Sequence, residues 1–224
     1  MTDQLKQAWT DLQYSRWQNA SWDLDQTVTT ETMQEIIDEV HDRSPAKQNR
    51  VNYKMEILDW SDTELRNAFY EMAVDRDAPV HKYNAQTLAN WLIVFHGRIP
   101  ANFHLDFSNV PSDSLDVAQM SMEVGMAAFH VIHGAAARGL QCGFCRCLDF
   151  DYTESWDIIE DRISIHDRHT VSLVLGVGIP NTENTHQTYN PHTGLYVDAY
   201  KDQKMKWKNE PKPAQTEYIN WITS

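Results

Sequence analysis

Three cysteines fall within six residues, Cys142, Cys145 and Cys147 in the run QCGFCRC. A CxxC spacing suits a redox dithiol or half of a zinc site, because thiolates are soft ligands and strong nucleophiles. There is no second CxxC. A zinc ion would have to draw its other ligands from pairs such as His130 and His133, which share one helical face, or His166 and His169. An iron–sulfur cluster would need a fourth cysteine. We assign no metal to the cluster and take its thiols as buried or incidental in a reducing compartment. None of the ten histidines sits in a nucleophile motif: GxSxG, HExxH and Walker sequences are all missing.

A second group is cationic. Lys201, Lys204, Lys206, Lys208 and Lys212 crowd into the thirteen residues from Tyr200 to Lys212 of a 224-residue chain that carries 19 basic and 32 acidic side chains, a formal charge of −13. That charge excludes a general nucleic-acid binder, which needs a concentrated basic surface. It leaves room for a local phosphate receptor, since one phosphoryl group needs two or three cations. The residues alone leave a solvated lysine face equally open. Eight tryptophans within 11% aromatic content supply core, and also walls of the kind a planar ligand prefers.

The elements that must position these groups are legible from periodicity. Leu5, Ala8, Trp9 and Leu12 mark an amphipathic helix over 2–14, and Met33, Ile36, Ile37 and Val40 mark another over 30–43. Thr29 or Thr30 would cap the second, and Pro45 would stop it. Residues 53–58 read as a strand, and Ser61 to Glu64 as a capping box opening a helix to about Met72. Residues 84–90 read as helical, before a buried strand from Trp91 to Phe95. The longest helix runs from Leu115 to Arg138. It is apolar around most of its surface and must be buried on several sides, in a core or at a subunit interface. A short strand after Gly139, a helix near 153–162 and a strand over 170–178 follow, and the polar stretch 181–200 reads as irregular. No linker divides the chain. The expectation is one α+β domain over 1–224, with a lid segment at 98–114 and a C-terminal extension from about 181. No apolar run reaches membrane-span length, and the N-terminus lacks signal-peptide character, so a soluble cytoplasmic protein is expected.

Five separated motifs resemble one family in order, from about residue 10 to residue 208. Arg16-Trp17-Gln18-Asn19-Ala20-Ser21-Trp22-Asp23 resembles the opening of the nitroreductase family. Ser44-Pro45-Ala46-Lys47-Gln48-Asn49 is similar to its Pro-containing turn before a strand. Tyr83-Asn84 resembles the family's asparagine beside the flavin. Ala136-Ala137-Arg138-Gly139-Leu140 resembles the end of its dimer-core helix, and Val174 to Pro180 its late strand ending in G-x-P.

The resemblance implies a nitroreductase-like α+β fold: a central, mostly antiparallel sheet flanked by helices, in an intertwined homodimer with a long buried helix. It also implies FMN at the subunit interface, and hydride transfer from NADH or NADPH through the flavin to a nitro compound, quinone or related acceptor. Arg16 and Gln18 would face the FMN phosphate or ribityl chain, with Lys206 and Lys208 completing the phosphate site. Pro45, Ala46, Lys47 and Asn49 would approach the flavin, and Asn84 its pyrimidine or ribityl oxygens. Cys145, Arg146 and Cys147 fall where the family presents a backbone N–H to flavin N5. No catalytic side chain is obligatory, because the cofactor carries the chemistry. Gln18 and Ala20 stand where the family has a serine and a second basic residue. The alternative is therefore a protein of this fold with lost or altered redox activity, acting in flavin binding or interaction. Neither nucleic acid nor membrane is implied as a partner.

Overall fold

The structure is a computed structural model that describes residues 3–14, 19–46, 51–72, 85–98, 115–146, 148–149, 152–163, 165, 168–183 and 187–198. Five helices are described: α1 (Asp3–Tyr14), α2 (Thr30–Arg43), α3 (Thr63–Met72), α4 (Leu115–Ala137) and α5 (Thr153–Arg162). The strands are β1 (Tyr53–Leu58), β2 (Trp91–Gly97), β3 (Gln141–Cys145), β4 (Leu173–Gly178), β5 (Gln187–Asn190) and β6 (Leu195–Asp198). β1 to β4 form one sheet in the order β1-β2-β4-β3, with every pairing antiparallel.

Strand alternation sorts the core into two layers. Ile93, Phe95, Leu175, Val177 and Cys142 point to one face, where Met33, Ile36 and Val40 of α2 and Val124, Ala127 and Val131 of α4 cover them. Leu92, Val94 and Val174 point to the other, beneath Leu65, Phe69 and Met72 of α3 and Trp156 and Ile159 of α5. The α+β architecture of a mostly antiparallel sheet between helices is therefore present.

Several local expectations change. Thr29 caps α2 through Thr32 N–H, but the cap of α3 is Asp62, whose carboxylate accepts the Leu65 N–H. Ser61 turns instead to the carboxylate of Asp59. The helix expected over 84–90 is a single 3-10 turn, Ala85–Leu88. The following strand continues to Gly97, and the late strand begins at Leu173, after a 3-10 turn at Arg168–Thr170.

Within the stretch expected to be irregular, β5 and β6 form a hairpin over 187–198. The usual pattern is inverted, with polar residues inside. Thr188 and Asn190 are fully buried, and Tyr189 between them is exposed. Thr188 Oγ1 accepts the Trp22 N–H at 3.1 Å and donates to the Ala20 carbonyl at 3.1 Å. Asn190 Nδ2 donates to Asn67 Oδ1 at 2.9 Å. These bonds satisfy buried polar groups that would otherwise oppose folding.

A buried cation ties the α3 side together. Arg66 is fully buried, and its two terminal nitrogens donate to the carbonyls of Leu58, Asp59, Thr87, Ala89 and Asn90. Its guanidinium lies 4.3 Å from the centre of the Trp60 ring. Burial pushes the group down to about 9; a guanidinium aimed at carbonyl acceptors still carries its proton at neutral pH.

Among the described residues, no helix is long and apolar enough to cross a membrane. The segment expected as a lid lies outside them apart from Arg98.

Candidate functional site

Chain segments distant in sequence meet over β3. Gly143 and Gly176 are paired directly across β3 and β4. A side chain at Gly143 would run into the backbone of Asn19 and the side chain of Gln86, and one at Gly176 into the backbone of Gln86. The bare strands let the 3-10 turn and residues 19–20 lie flat on the sheet. Asn19 N–H donates to the Cys142 carbonyl at 2.9 Å, and Trp22 Nε1 donates to the Ala85 carbonyl at 2.8 Å. Ala20 and Ala85 pack together, both fully buried.

Asn19 directly follows Gln18, and Ala85 directly follows Asn84. Two of the stretches expected at a flavin thus have their described flanks in contact, two residues before Cys145. Arg16, Gln18, Lys47, Asn49, Asn84, Cys147, Lys206 and Lys208 themselves lie outside the described residues.

Of the described candidates, Cys145 is buried and is the last β3 residue paired to β4, opposite Val174. Arg146 leaves the ladder exposed, with its carbonyl accepting the Leu148 N–H at 2.9 Å. β3 ends the sheet, and its outer edge pairs with no described strand. An exposed backbone at the end of an edge strand is suited to offer hydrogen bonds to a ligand.

Pro45 is exposed and Ala46 half-buried, just past the end of α2. The helix stops at Ser44, whose N–H donates to Val40 and whose hydroxyl lies 2.8 Å from His130 Nδ1 on α4. Beyond residues 47–50, Asn52 is also held by α4. Its backbone N–H donates to Glu123 Oε2 at 2.9 Å, and its side-chain amide lies 3.2 Å from each Glu123 oxygen. Sequence reasoning missed Glu123. Its one available signal was being the sole acid within a long apolar helical stretch after Asp116.

The described residues also separate the cysteine cluster. Cys142 and Cys145 are three apart on a strand, so they point to opposite faces of the sheet. Cys142 is a free thiol, and burial drives it far up. His133 is buried, lies 2.7 Å through Nδ1 from the Phe129 carbonyl, and stacks on Trp9 with ring centres 5.3 Å apart. A backbone carbonyl accepts but cannot donate, so Nδ1 carries the proton.

α4 buries Val124, Ala127, Val131 and Ala135 against α2 and the sheet, but one stripe of it is exposed. Met122 is 59% exposed and Phe129 45% exposed, and Gly125 between them faces open space. Spacings of three and four place these residues on one stripe.

No family profile and no curated relative matches the sequence. Solved structures do match in fold. A nitroreductase-like protein from Streptococcus mutans aligns over 98% of this chain and 100% of its own, with a TM-score of 0.62 at 13% identity. A protein from Exiguobacterium sibiricum, described as a nitroreductase and solved in complex with FMN, aligns over 95% and 96%, with a TM-score of 0.60 at 13% identity. A nitroreductase family protein from Clostridium difficile aligns over 95% and 97%, with a TM-score of 0.55 at 14% identity. The chain has the nitroreductase-like fold.

Proposed function

We propose that this chain is an FMN-dependent oxidoreductase of the nitroreductase type. It would pass hydride from NADH or NADPH to a nitro compound, quinone or related acceptor. One observation carries the reading: the flanks of the Arg16–Gln18 and Asn84 stretches meet over β3 beside Cys145, in a fold shared with an FMN-bound neighbour. Bound FMN supplies reversible two-electron chemistry. The chain's own residues hold and orient it.

Arg16, Lys206 and Lys208 hold the phosphate, Arg16 through its planar fork. Gln18 adds an uncharged amide there. Pro45, Ala46, Lys47 and Asn49 line one side of the ring system, and Asn84 bonds its polar edge. The backbone across Cys145, Arg146 and Cys147 donates an N–H to the ring at the reacting nitrogen. The reading makes the chain a single domain, with a lid over 98–114 and a C-terminal extension from about 181, and places it in the cytoplasm.

The partner is a second copy of the chain. The Met122–Gly125–Phe129 stripe is the kind of exposed apolar face that a subunit interface covers. The test is the visible spectrum of the purified protein, with a titration of added FMN and a sizing run. Yellow dimeric protein that oxidises NADH or NADPH in the presence of a quinone or nitroarene is expected. Colourless protein that leaves FMN fluorescence unquenched sinks the proposal.

One observation favours the second reading. Ala20 stands where the resembled family has a second basic residue and is packed against Ala85 in the core, so this chain supplies no cation at that position. A protein that binds FMN but leaves it oxidised under both nucleotides would be a flavin-binding or interaction protein.

A further inference from the structure

Along β1 and β2, the sheet face beneath α3 and α5 changes character before it ends. Leu58, Leu92 and Val94 are apolar there, and strand parity then places Lys54, Glu56 and His96 on the same face. His96 is 2% exposed. Its Nδ1 lies 3.0 Å from the carbonyl oxygen of Gly97, and its Nε2 lies 3.3 Å from Glu56 Oε1.

Both partners can only accept. A backbone carbonyl has no proton to give. Burial raises the Glu56 carboxyl, yet hydrogen bonds from His96 and Lys54 bring it below the ordinary value, so it is an anion at neutral pH. The Lys54 ammonium, 2.5 Å from the same Oε1, confirms that the oxygen is an acceptor. A neutral imidazole has one N–H and one lone pair. In either tautomer that lone pair would point at an oxygen lone pair, in a buried place where water cannot relieve the repulsion.

We infer that His96 is an imidazolium in the folded protein, donating from both ring nitrogens, and that it clamps the end of the β1–β2 pair in a pH-dependent way. Nε2 grips Glu56 on β1, and Nδ1 grips Gly97, the last residue of β2. Beside the clamp, the Arg98 N–H donates to the Asn52 carbonyl at 2.9 Å, just before β1 begins. Gly97 is closely packed, since a side chain there would meet Thr170 and Met120.

Among the described residues, Lys54 and Glu56 are the ionisable side chains that face the ring from β1. Ser172 and Val174, at the start of β4, are uncharged, and α3 and α5 lay Leu65, Phe69, Trp156 and Ile159 over this face. The 3-10 turn that packs on Gly97 through Thr170 carries Arg168 and His169, and exposed Arg98 follows Gly97. When pH rises and one ring proton passes to water, one of the two contacts turns repulsive and the strand end loosens.

Nitrogen-15 NMR of the ring reads its protonation directly. At about pH 7.5, where an ordinary exposed imidazole is mostly neutral, both His96 nitrogens should carry protons. Glu56→Gln should leave one of them bare at the same pH. Exchange of the Arg98 amide, corrected for the intrinsic effect of pH, should speed up about tenfold as the wild-type ring loses its proton, the scale of one hydrogen bond to a charged group. His96→Gln should show no such step. Where a variant fails to fold, the wild-type measurements decide the matter.

A wild-type ring with a bare nitrogen at about pH 7.5 overturns the imidazolium. Arg98 protection that stays constant while the ring titrates overturns the clamp. Neither measurement needs bound flavin, so the outcome is separate from that of the function proposed above.

Discussion

Gly143 and Gly176 face one another across β3 and β4, and the space left by their missing side chains is filled by chain from elsewhere. Asn19 and Gln86 come down onto the sheet there, which brings the flanks of the Arg16–Gln18 and Asn84 stretches together. Gly143→Ala should therefore destabilise the fold by about 3 kcal/mol, the upper range for overpacking a tight site. It should also lower FMN occupancy, because Asn19 must lift. Thermal melts and flavin content measured on one preparation check this, and an alanine variant of wild-type stability would contradict the close approach.

The apolar stripe on α4 makes a separate prediction. Phe129→Glu places a charge in the middle of the proposed interface, where burial without a partner is costly. Sizing or sedimentation should show monomer in place of the proposed wild-type dimer, and flavin content should fall with it. A Phe129→Glu dimer with full flavin would move the interface elsewhere.

Cys142 should be chemically silent in the native protein. Desolvation raises its thiol well above the ordinary range, so thiolate is scarce, and the group lies inside the α2–α4 layer. Alkylation at mildly basic pH followed by mass spectrometry should leave it unlabelled, and the same treatment in denaturant should label it fully. Cys142→Ala should leave the proposed redox activity unchanged.

Glu56 predicts an acid-side loss of stability. Burial raises its carboxyl, but hydrogen bonds from His96 and Lys54 outweigh that and hold it below the ordinary value of 4.5. A carboxyl lowered in the folded state stabilises above its unfolded value, and that contribution is lost as pH falls through the folded value. Glu56→Gln should cost about 1–2 kcal/mol near neutral pH. The gap to wild type should narrow below the ordinary carboxylate range in melts run as a pH series.

Much of the secondary structure was legible because it is local. The stripe Met33, Ile36, Val40, the proline stop after Ser44 and the apolar run from Trp91 each act within a few residues, and each appears where periodicity placed it. The hairpin at 187–198 was not legible. Its inward residues are Thr188 and Asn190, polar side chains whose burial is acceptable because Trp22, Ala20 and Asn67 supply partners from far along the chain. The 3-10 turn at Ala85–Leu88 is shorter than its sequence suggests, because nothing local announces that Arg66 collects the carbonyls of Thr87 and Ala89.

By itself the sequence determined the family resemblance, the order of elements and the acidic character of the chain, since motifs and periodicity are properties of neighbouring residues. Tertiary structure decided which groups meet. It turned Cys142 and Cys145 to opposite faces, laid Asn19 and Gln86 over a pair of glycines, and put Glu123 against Asn52 with Val51 strained beside it. Such pairings depend on strand parity, helix phase and the removal of water from buried polar groups, and these are set only when the layers close on one another.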